Sequence, residues 1–242
     1  MLCIFDLDGT LLNTIADLGV ACNYALHEHG FPVHRTEDYP HLVGNGVNKL
    51  IERALPDGHK DEATILTLRE SFIPYYNTHN MVYTKPYEGI VELIQTLKAK
   101  GHTLAVASNK YQQATTALVE HYFGAGTFDI ILGERIGCPR KPDPQIVKDI
   151  VERARSVQSS KAESRKAKEC CAERTKENTI CYIGDSDVDM QTAANAKSIG
   201  LVLCSIACTW GFCSEETLIA EHPDYIVHTP EEIEKLLISD KY

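Results

Sequence analysis

The strongest constraint on the fold of this chain is a rhythm. Short apolar runs recur along it: "LCIFDLD" (2–8), "TLAVASN" (103–109), "FDIILG" (128–133), "TICYIGD" (179–185), "IGLVLCS" (199–205) and a weaker "DYIVHT" (224–229). Each is apolar on both faces instead of alternating, which suits strands of a sheet covered on both sides. Helix-like stretches lie between them. In "PYEGIVELIQTLKAKG", Ile90, Leu93, Ile94 and Leu97 mark one face and Gly101 supplies a stop. In "DPQIVKDIVERARS", Asp143 can cap, Pro144 suits the first turn, and Ile146, Val147, Ile150 and Val151 share a side. Strands alternating with helices predict an α/β fold with a Rossmann-like parallel sheet, layered α/β/α.

One interval breaks the rhythm. From Thr14 to Lys85 the patterns are helical, with "TIADLGVACNYALHEHG", "GVNKLIERAL" and "ATILTLRESFIPYYNTH" as three helices and no convincing strand. This is too long for one crossover. It reads as an inserted helical domain over 14–85, with 1–13 and 86–242 forming the core. A second anomaly is the tract 156–178, "SVQSSKAESRKAKECCAERTKEN", which has almost no large apolar residues. It can contribute little to a core and is expected to be an exposed helix or disordered, peripheral to any site.

Ligands of open parallel sheets bind beyond the carboxyl ends of the strands. The first strand ends in Asp6 and Asp8, the second in Ser108 and Asn109; Lys141 follows the third in "RKPDP", and the fourth ends in "GDSDVDM" with Asp185, Asp187 and Asp189. Taken singly these are a turn, a solvated loop lysine and an acidic helix start. Asp6 and Asp8 are harder to dismiss, because residues i and i+2 of a strand share a face and two close carboxylates repel unless a cation or proton intervenes. Taken together, the strand ends assemble a hard-cation site beside an anion site.

"DLDGTLLNT", "ASN", "KPDP" and "GDSDVDM" resemble, in order and spacing, the four motifs of the haloacid dehalogenase superfamily in its phosphatase branch. The inserted helices resemble that family's cap. "VGNGVNKLIERAL" and "TWGF" are similar to segments of its phosphoglycolate phosphatases. Asn13, where many relatives carry an acid, and the tract 156–178 depart from the pattern. The resemblance implies a phosphoric monoester hydrolase working through an aspartyl-phosphate. Asp6 is then the nucleophile and Asp8 the acid and base. Mg²⁺ is the cofactor, held by Asp6, the Asp8 carbonyl and Asp185, with Asp189 as a closely placed outer or alternative ligand. Ser108, Asn109 and Lys141 hold the phosphoryl oxygens, and Gly9 lets the backbone approach them. In the cap, Asn45, Lys49 and Arg53 lie at helical spacing, where a cation could meet the far end of the substrate; a solvated helix face explains Lys49 and Arg53 equally well. Trp210, the single tryptophan, reads as a packing anchor.

The expected substrate is a small phosphorylated metabolite, with 2-phosphoglycolate the first choice. A phosphomutase of the β-phosphoglucomutase kind or a pyrophosphatase would use the same residues, and a non-catalytic phosphate-binding regulatory module could keep the fold. The Asp6–Asp8 pair weighs against the last, because binding alone does not need both carboxylates. The formal net charge of −10 disfavours nucleic acid and anionic membranes as partners. No run is long and apolar enough to span a bilayer, and "MLCIFDLD" does not read as a secretion signal. Nine cysteines without a C-x-x-C pair point to the reducing cytoplasm; Cys204, Cys208 and Cys213 are too loosely spaced for a zinc site. A monomer or homodimer fits equally.

Overall fold

The computed structural model describes the backbone of residues 1–165 and 179–238, and the side chains of all of these except 157–165. In chain order, β1 (Leu2–Phe5), β2 (Leu12–Asn13) and α1 (Ile15–Glu28) lead through a 3-10 turn at Thr36–His41 to α2 (Val47–Ala54) and α3 (Glu62–His79). There follow β3 (Lys85–Pro86), α4 (Ile90–Ala99), β4 (Thr103–Tyr111), α5 (Gln112–Phe123), β5 (Ile130–Glu134) and α6 (Gln145–Arg165). The chain continues through β6 (Ile180–Gly184), α7 (Asp187–Ser198), β7 (Cys204–Cys208), α8 (Glu215–Ala220), β8 (Tyr225–Val227) and α9 (Pro230–Ile238).

Six of these strands form one parallel sheet in the order β5-β4-β1-β6-β7-β8. Alternate residues of a strand face opposite ways, and the burial shows it. Cys3, Phe5, Leu104, Val106, Cys181 and Ile183 pack against α4, α5 and α9. Leu2, Ile4, Ala105, Ala107 and Tyr182 pack against α6 and α7. The sheet is therefore covered on both faces, in the three layers that the apolar runs predict. β1 lies mid-sheet with β4 and β6 on either side, so the ends of these three strands converge on one place. No helix among the described residues is long and apolar enough to cross a membrane.

The helices between β2 and β3 bury a cluster of their own. Leu18, Cys22 and Leu26 of α1, Leu50 and Ile51 of α2, and Leu68, Phe72 and Tyr76 of α3 surround Tyr39, with Ala114 of α5 as the contact from below. The sequence reading has no strand at either junction. The structure pairs β2 with β3 in an antiparallel ribbon, Leu12 against Pro86 and Asn13 against Lys85. At two residues each, these strands are too short to leave a pattern. Asp17, at the start of α1, reinforces the junction: its buried carboxylate accepts from the backbone N–H groups of Tyr83 and Thr84 and from the Thr84 hydroxyl at 2.7–3.1 Å.

Several expected boundaries move. β1 stops at Phe5 instead of Asp8. Asp6 N–H still donates to Ile183 O, but the Leu11 and Leu12 N–H groups fold back onto Leu7 O, so the chain turns. β7 is Cys204–Cys208, not 199–205. Gly200 has φ +93° and Leu201 N–H caps Ala196 O, so the apolar "IGLVL" closes α7 and Val202 stays exposed. The helix expected to end near Ser156 continues to Arg165. The rest of the 156–178 tract, with Cys170 and Cys171, lies outside the described residues.

Candidate active site

Asp6, Asp8, Ser108, Asn109, Lys141, Asp185 and Asp189 converge where β1, β4 and β6 end. The first surprise is how the opening carboxylates are compensated. Leaving the strand sends Asp6 and Asp8 to different lysines. Asp6 takes Lys141, whose Nζ is 2.8 Å from its Oδ1. Asp8 takes Lys110, whose Nζ lies 3.0 and 3.1 Å from its two oxygens, and the Thr14 hydroxyl donates to it at 2.7 Å.

Lys141 is the hub. Its ammonium, almost without exposure, also donates to Asp189 Oδ1 at 2.8 Å and to Ala107 O at 2.9 Å. Burial works to lower its pKa, but the charges of Asp189 and Asp6 outweigh this and hold it well above the ordinary value. The Asn109 side chain clamps the Lys141 backbone: its amide donates to Lys141 O at 3.1 Å and its carbonyl accepts from Lys141 N–H at 2.9 Å. The same amide reaches Gly44 O at 3.4 Å, so Asn109 ties the lysine loop to the segment before α2. Ser108 Oγ accepts from Lys110 N–H and lines the cavity above Asp6.

On the other side stand Asp185 and Asp189. Ser186 caps α7, and Asp189 reciprocates by accepting from the Ser186 N–H and hydroxyl. Asp185 accepts from the Thr10 hydroxyl at 2.7 Å and from Phe212 N–H at 2.8 Å. These contacts give "TWGF" a physical meaning. The Trp210 indole donates to Thr10 O at 3.1 Å, and a Cβ on Gly211 would stand 2.2 Å from Asp185 Cβ. Gly9, with φ +96°, is needed from the opposite side, since its Cβ would stand 2.1 Å from Asp185 Oδ2. Asp185 is held in a slot between the backbones of Gly9 and Gly211, with the Thr10 hydroxyl and the Phe212 N–H as its donors.

Asp6, Asp185 and Asp189 can bring one oxygen each within 4.8 Å of one another, and all three are buried. Burial, then the charge of Asp189, pushes Asp185 up to about 7 against its two donors. Burial and Asp189 likewise hold Asp6 well above the carboxylate range, against Lys141. Three buried carboxylates face one ammonium, a deficit that one divalent cation balances. All-oxygen donors suit Mg²⁺ over softer metals.

A cavity of about 50 Å³ opens between this cluster and helices α2 and α3, lined by Asp6, Asp8, Ser108 and Lys110 on one side and by Val47, Leu50, Phe72 and Tyr76 on the other. A second cavity, of about 300 Å³, joins Asp6, Asp8 and Asp185 to Asn45 and Arg53. Arg53 donates to Leu42 O, Val43 O and Asn45 Oδ1 and so braces the 42–45 loop. Lys49 pairs with Glu52 on the exposed side of α2 and lines neither cavity.

Sequence reasoning missed Lys110, Thr10 and Tyr76. Lys110 directly follows the quoted "TLAVASN", where the strand was expected to end. β4 continues to Tyr111 with a register shift between Ala107 and Tyr111, and Lys110 falls within that irregular stretch. Tyr76 carries only a helix-face signal and reaches the site through the packing of α3.

Comparison with known proteins agrees with this geometry. A model of the family described as haloacid dehalogenase-like hydrolase matches residues 3–200. A phosphoglycolate phosphatase of Agrobacterium fabrum is 32% identical, over 98% of this chain and 94% of its own. One from Aquifex aeolicus is 29% identical over 97% and 95%. A crystal structure from Lactobacillus delbrueckii subsp. bulgaricus, of a protein provisionally assigned as a phosphoglycolate phosphatase, superposes with a TM-score of 0.81 at 32% identity, covering 98% of both chains. The sheet order, the charged strand ends and these end-to-end matches lead to one conclusion: the chain belongs to the haloacid dehalogenase-like hydrolases.

Proposed function

We propose that this hydrolase is a Mg²⁺-dependent phosphatase of small phosphate monoesters, with 2-phosphoglycolate its first-choice substrate. One observation carries the reading. Two carboxylates at the end of β1 serve one cavity yet have separate environments, Asp6 among Lys141 and the acidic cluster, Asp8 against Lys110 and Thr14. Two-step displacement at phosphorus needs such a division of labour between nucleophile and proton carrier.

In the first step an Asp6 oxygen attacks phosphorus. The ester P–O bond breaks, its electron pair goes to the leaving oxygen, and Asp8 gives that oxygen a proton. In the second step Asp8 takes a proton from water as the water oxygen attacks phosphorus; the bond to Asp6 breaks, phosphate leaves, and both aspartates are restored. Lys141 and Ser108 face the cavity where the phosphoryl oxygens would sit, and the buried ammonium stabilises their charge. Asn109 keeps Lys141 in place through its backbone. Asp6, Asp185 and the Asp8 carbonyl would hold Mg²⁺, with Asp189 behind them. When bound, Mg²⁺ supplies the positive charge that keeps Asp6 ionised and draws charge from the phosphoryl group.

The cavity between Asp8 and the apolar side chains of α2 and α3 leaves room for only a few water-sized groups, which favours a small leaving group there. The helical insertion over 14–85 acts in this reading as the specificity element, and the enzyme works in the cytoplasm. The test is a panel of small phosphate esters, pyrophosphate and a phosphopeptide, assayed with and without Mg²⁺ with the products identified. Release of phosphate from small esters only, and only with Mg²⁺, is expected. Preference for the phosphopeptide, or sugar-phosphate isomerisation without phosphate release, would overturn the reading.

A further inference from the structure

Tyr76 sits in the last turn of α3 with no exposure, and its hydroxyl has no hydrogen-bond partner among the described residues. A phenol buried that way costs stability unless something accepts its proton. It lines the cavity above Asp6 and Asp8, and the Lys110 ammonium lies 4.8 Å from the centre of its ring. Burial, and then the charge of Asp8, hold the phenol well above its ordinary pKa, so it stays a donor.

Lys110 is buried as well, between that ring and Asp8. An ammonium carries three donors. Those directed at the two Asp8 oxygens leave one for a further acceptor. Lys110 and Tyr76 thus form a pair of donors, one from the core and one from the cap, facing a cavity whose other cap walls are apolar. Neither touches phosphorus in the two-step displacement; Lys110 enters it only as the partner of Asp8.

We propose that Tyr76 and Lys110 together bind a carboxylate on the leaving group, and that this selects phosphate esters of short α-hydroxy carboxylates. The inference rests on the phosphatase reading and narrows it. Position supports it. Asp8 must reach the ester oxygen to protonate it, and Lys110 Nζ is 3.0 Å from Asp8, so an anion that meets Lys110 lies within a bond or two of that oxygen. A carboxylate on the ester-bearing carbon meets this condition; the distant charge of a long leaving group does not. The cavity of about 50 Å³ agrees with so small a group. The apolar walls of Leu50 and Phe72 strengthen a charge-assisted hydrogen bond and offer no rival donor.

The experiment compares two esters of similar size, 2-phosphoglycolate and ethyl phosphate, with Mg²⁺ present. Wild-type enzyme is expected to favour the carboxylate ester in kcat/KM. Tyr76→Phe removes one oxygen and no existing contact, so the fold is kept. It should lower kcat/KM for phosphoglycolate by roughly tenfold, mainly through KM, and leave ethyl phosphate within about twofold. Lys110→Met should cut the ratio between the two esters by roughly 10- to 100-fold, and Lys110→Arg should keep most of it. Because Lys110 touches Asp8, only the ratio counts for that residue; should Lys110→Met fail to fold, Tyr76→Phe decides alone. Equal losses on both esters, or an unchanged ratio, would overturn the proposal while leaving the phosphatase reading intact. Wild-type enzyme inactive on both esters and on the wider panel would remove both.

Discussion

Lys141 is the best place to measure what holds this site together. Lys141→Met keeps length and volume and deletes the charge. The wild-type ammonium touches Asp6, Asp189 and Ala107 O at 2.8–2.9 Å, and both carboxylates are buried. Removing one partner of a buried ion pair costs about 3–5 kcal/mol, because the other charge is left without compensation. The variant has one escape, which is to protonate a carboxylate. Moving a group from an ordinary pKa near 3.9 to ionisation half-way at pH 7 costs about 4 kcal/mol, so the destabilisation is capped near ~4 kcal/mol at neutral pH. The sign with pH follows. A carboxylate whose folded pKa is raised above its unfolded value loses stability as pH rises from the unfolded value to the folded one, and the variant raises that pKa further. Its deficit should therefore be largest at pH 7.5 and shrink by roughly 1–3 kcal/mol on going to pH 5.5. For a chain of this size 3–4 kcal/mol lowers Tm by roughly 6–16 °C. Urea and thermal unfolding in EDTA, read by circular dichroism and by the single tryptophan, Trp210, measure it directly. A deficit under about 1 kcal/mol at pH 7.5, or one that widens on acidification, would refute the view of Lys141 as the counter-charge of the cluster.

Asp6→Asn should abolish turnover with the fold intact, and Asp8→Asn should slow both steps and let phosphoenzyme accumulate for detection by mass spectrometry; near-wild-type turnover by Asp6→Asn would exclude the covalent route. EDTA should remove activity, Mg²⁺ restore it and Ca²⁺ inhibit, since looser coordination spoils in-line geometry. Burial brings Asp185 up to about 7 and raises Asp6, so a cation must displace protons at low pH, and Mg²⁺ should raise Tm more at pH 8 than at pH 6; an equal or reversed effect argues against these groups as its ligands. Gly211→Ala puts a Cβ 2.2 Å from Asp185 and should cost about 1–3 kcal/mol while raising the Mg²⁺ concentration needed for half-maximal rate; an unchanged Mg²⁺ requirement would show that the slot does not position Asp185.

The parallel sheet was legible because burial on both faces leaves an unbroken apolar run, and no other element needs one of that length. Boundaries were less so. "IGLVL" satisfies the strand pattern, but Gly200 and Leu201 complete the end of α7, and hydrophobicity alone cannot separate a strand from a helix closure. The β2–β3 ribbon has two residues per strand and no pattern to read. In the site, seven of the eight residues named at the strand ends converge, because a charge that ends an apolar run needs compensation near a strand terminus, and parallel strands put their termini together.

The same argument explains what the sequence hid. It shows the charges that need a partner but not the partner. Asp6 and Asp8 announce an electrostatic cost; which lysine each takes depends on where the chain turns after Phe5 and on the register shift in β4. Lys110 is as polar as any loop lysine until that shift buries it against Asp8. Tyr76 is one apolar position among several on α3 until the cap folds over the core, when its hydroxyl becomes a buried donor in a cavity that the core supplies. Residues that act from within one motif can be read from the motif. Residues that act between the core and the cap cannot, since each half of the signal is ordinary by itself. That asymmetry bears on specificity: in the proposed reading, the chemistry at phosphorus belongs to the strand ends, whereas the choice of leaving group would fall to a contact that exists only after the two parts have met.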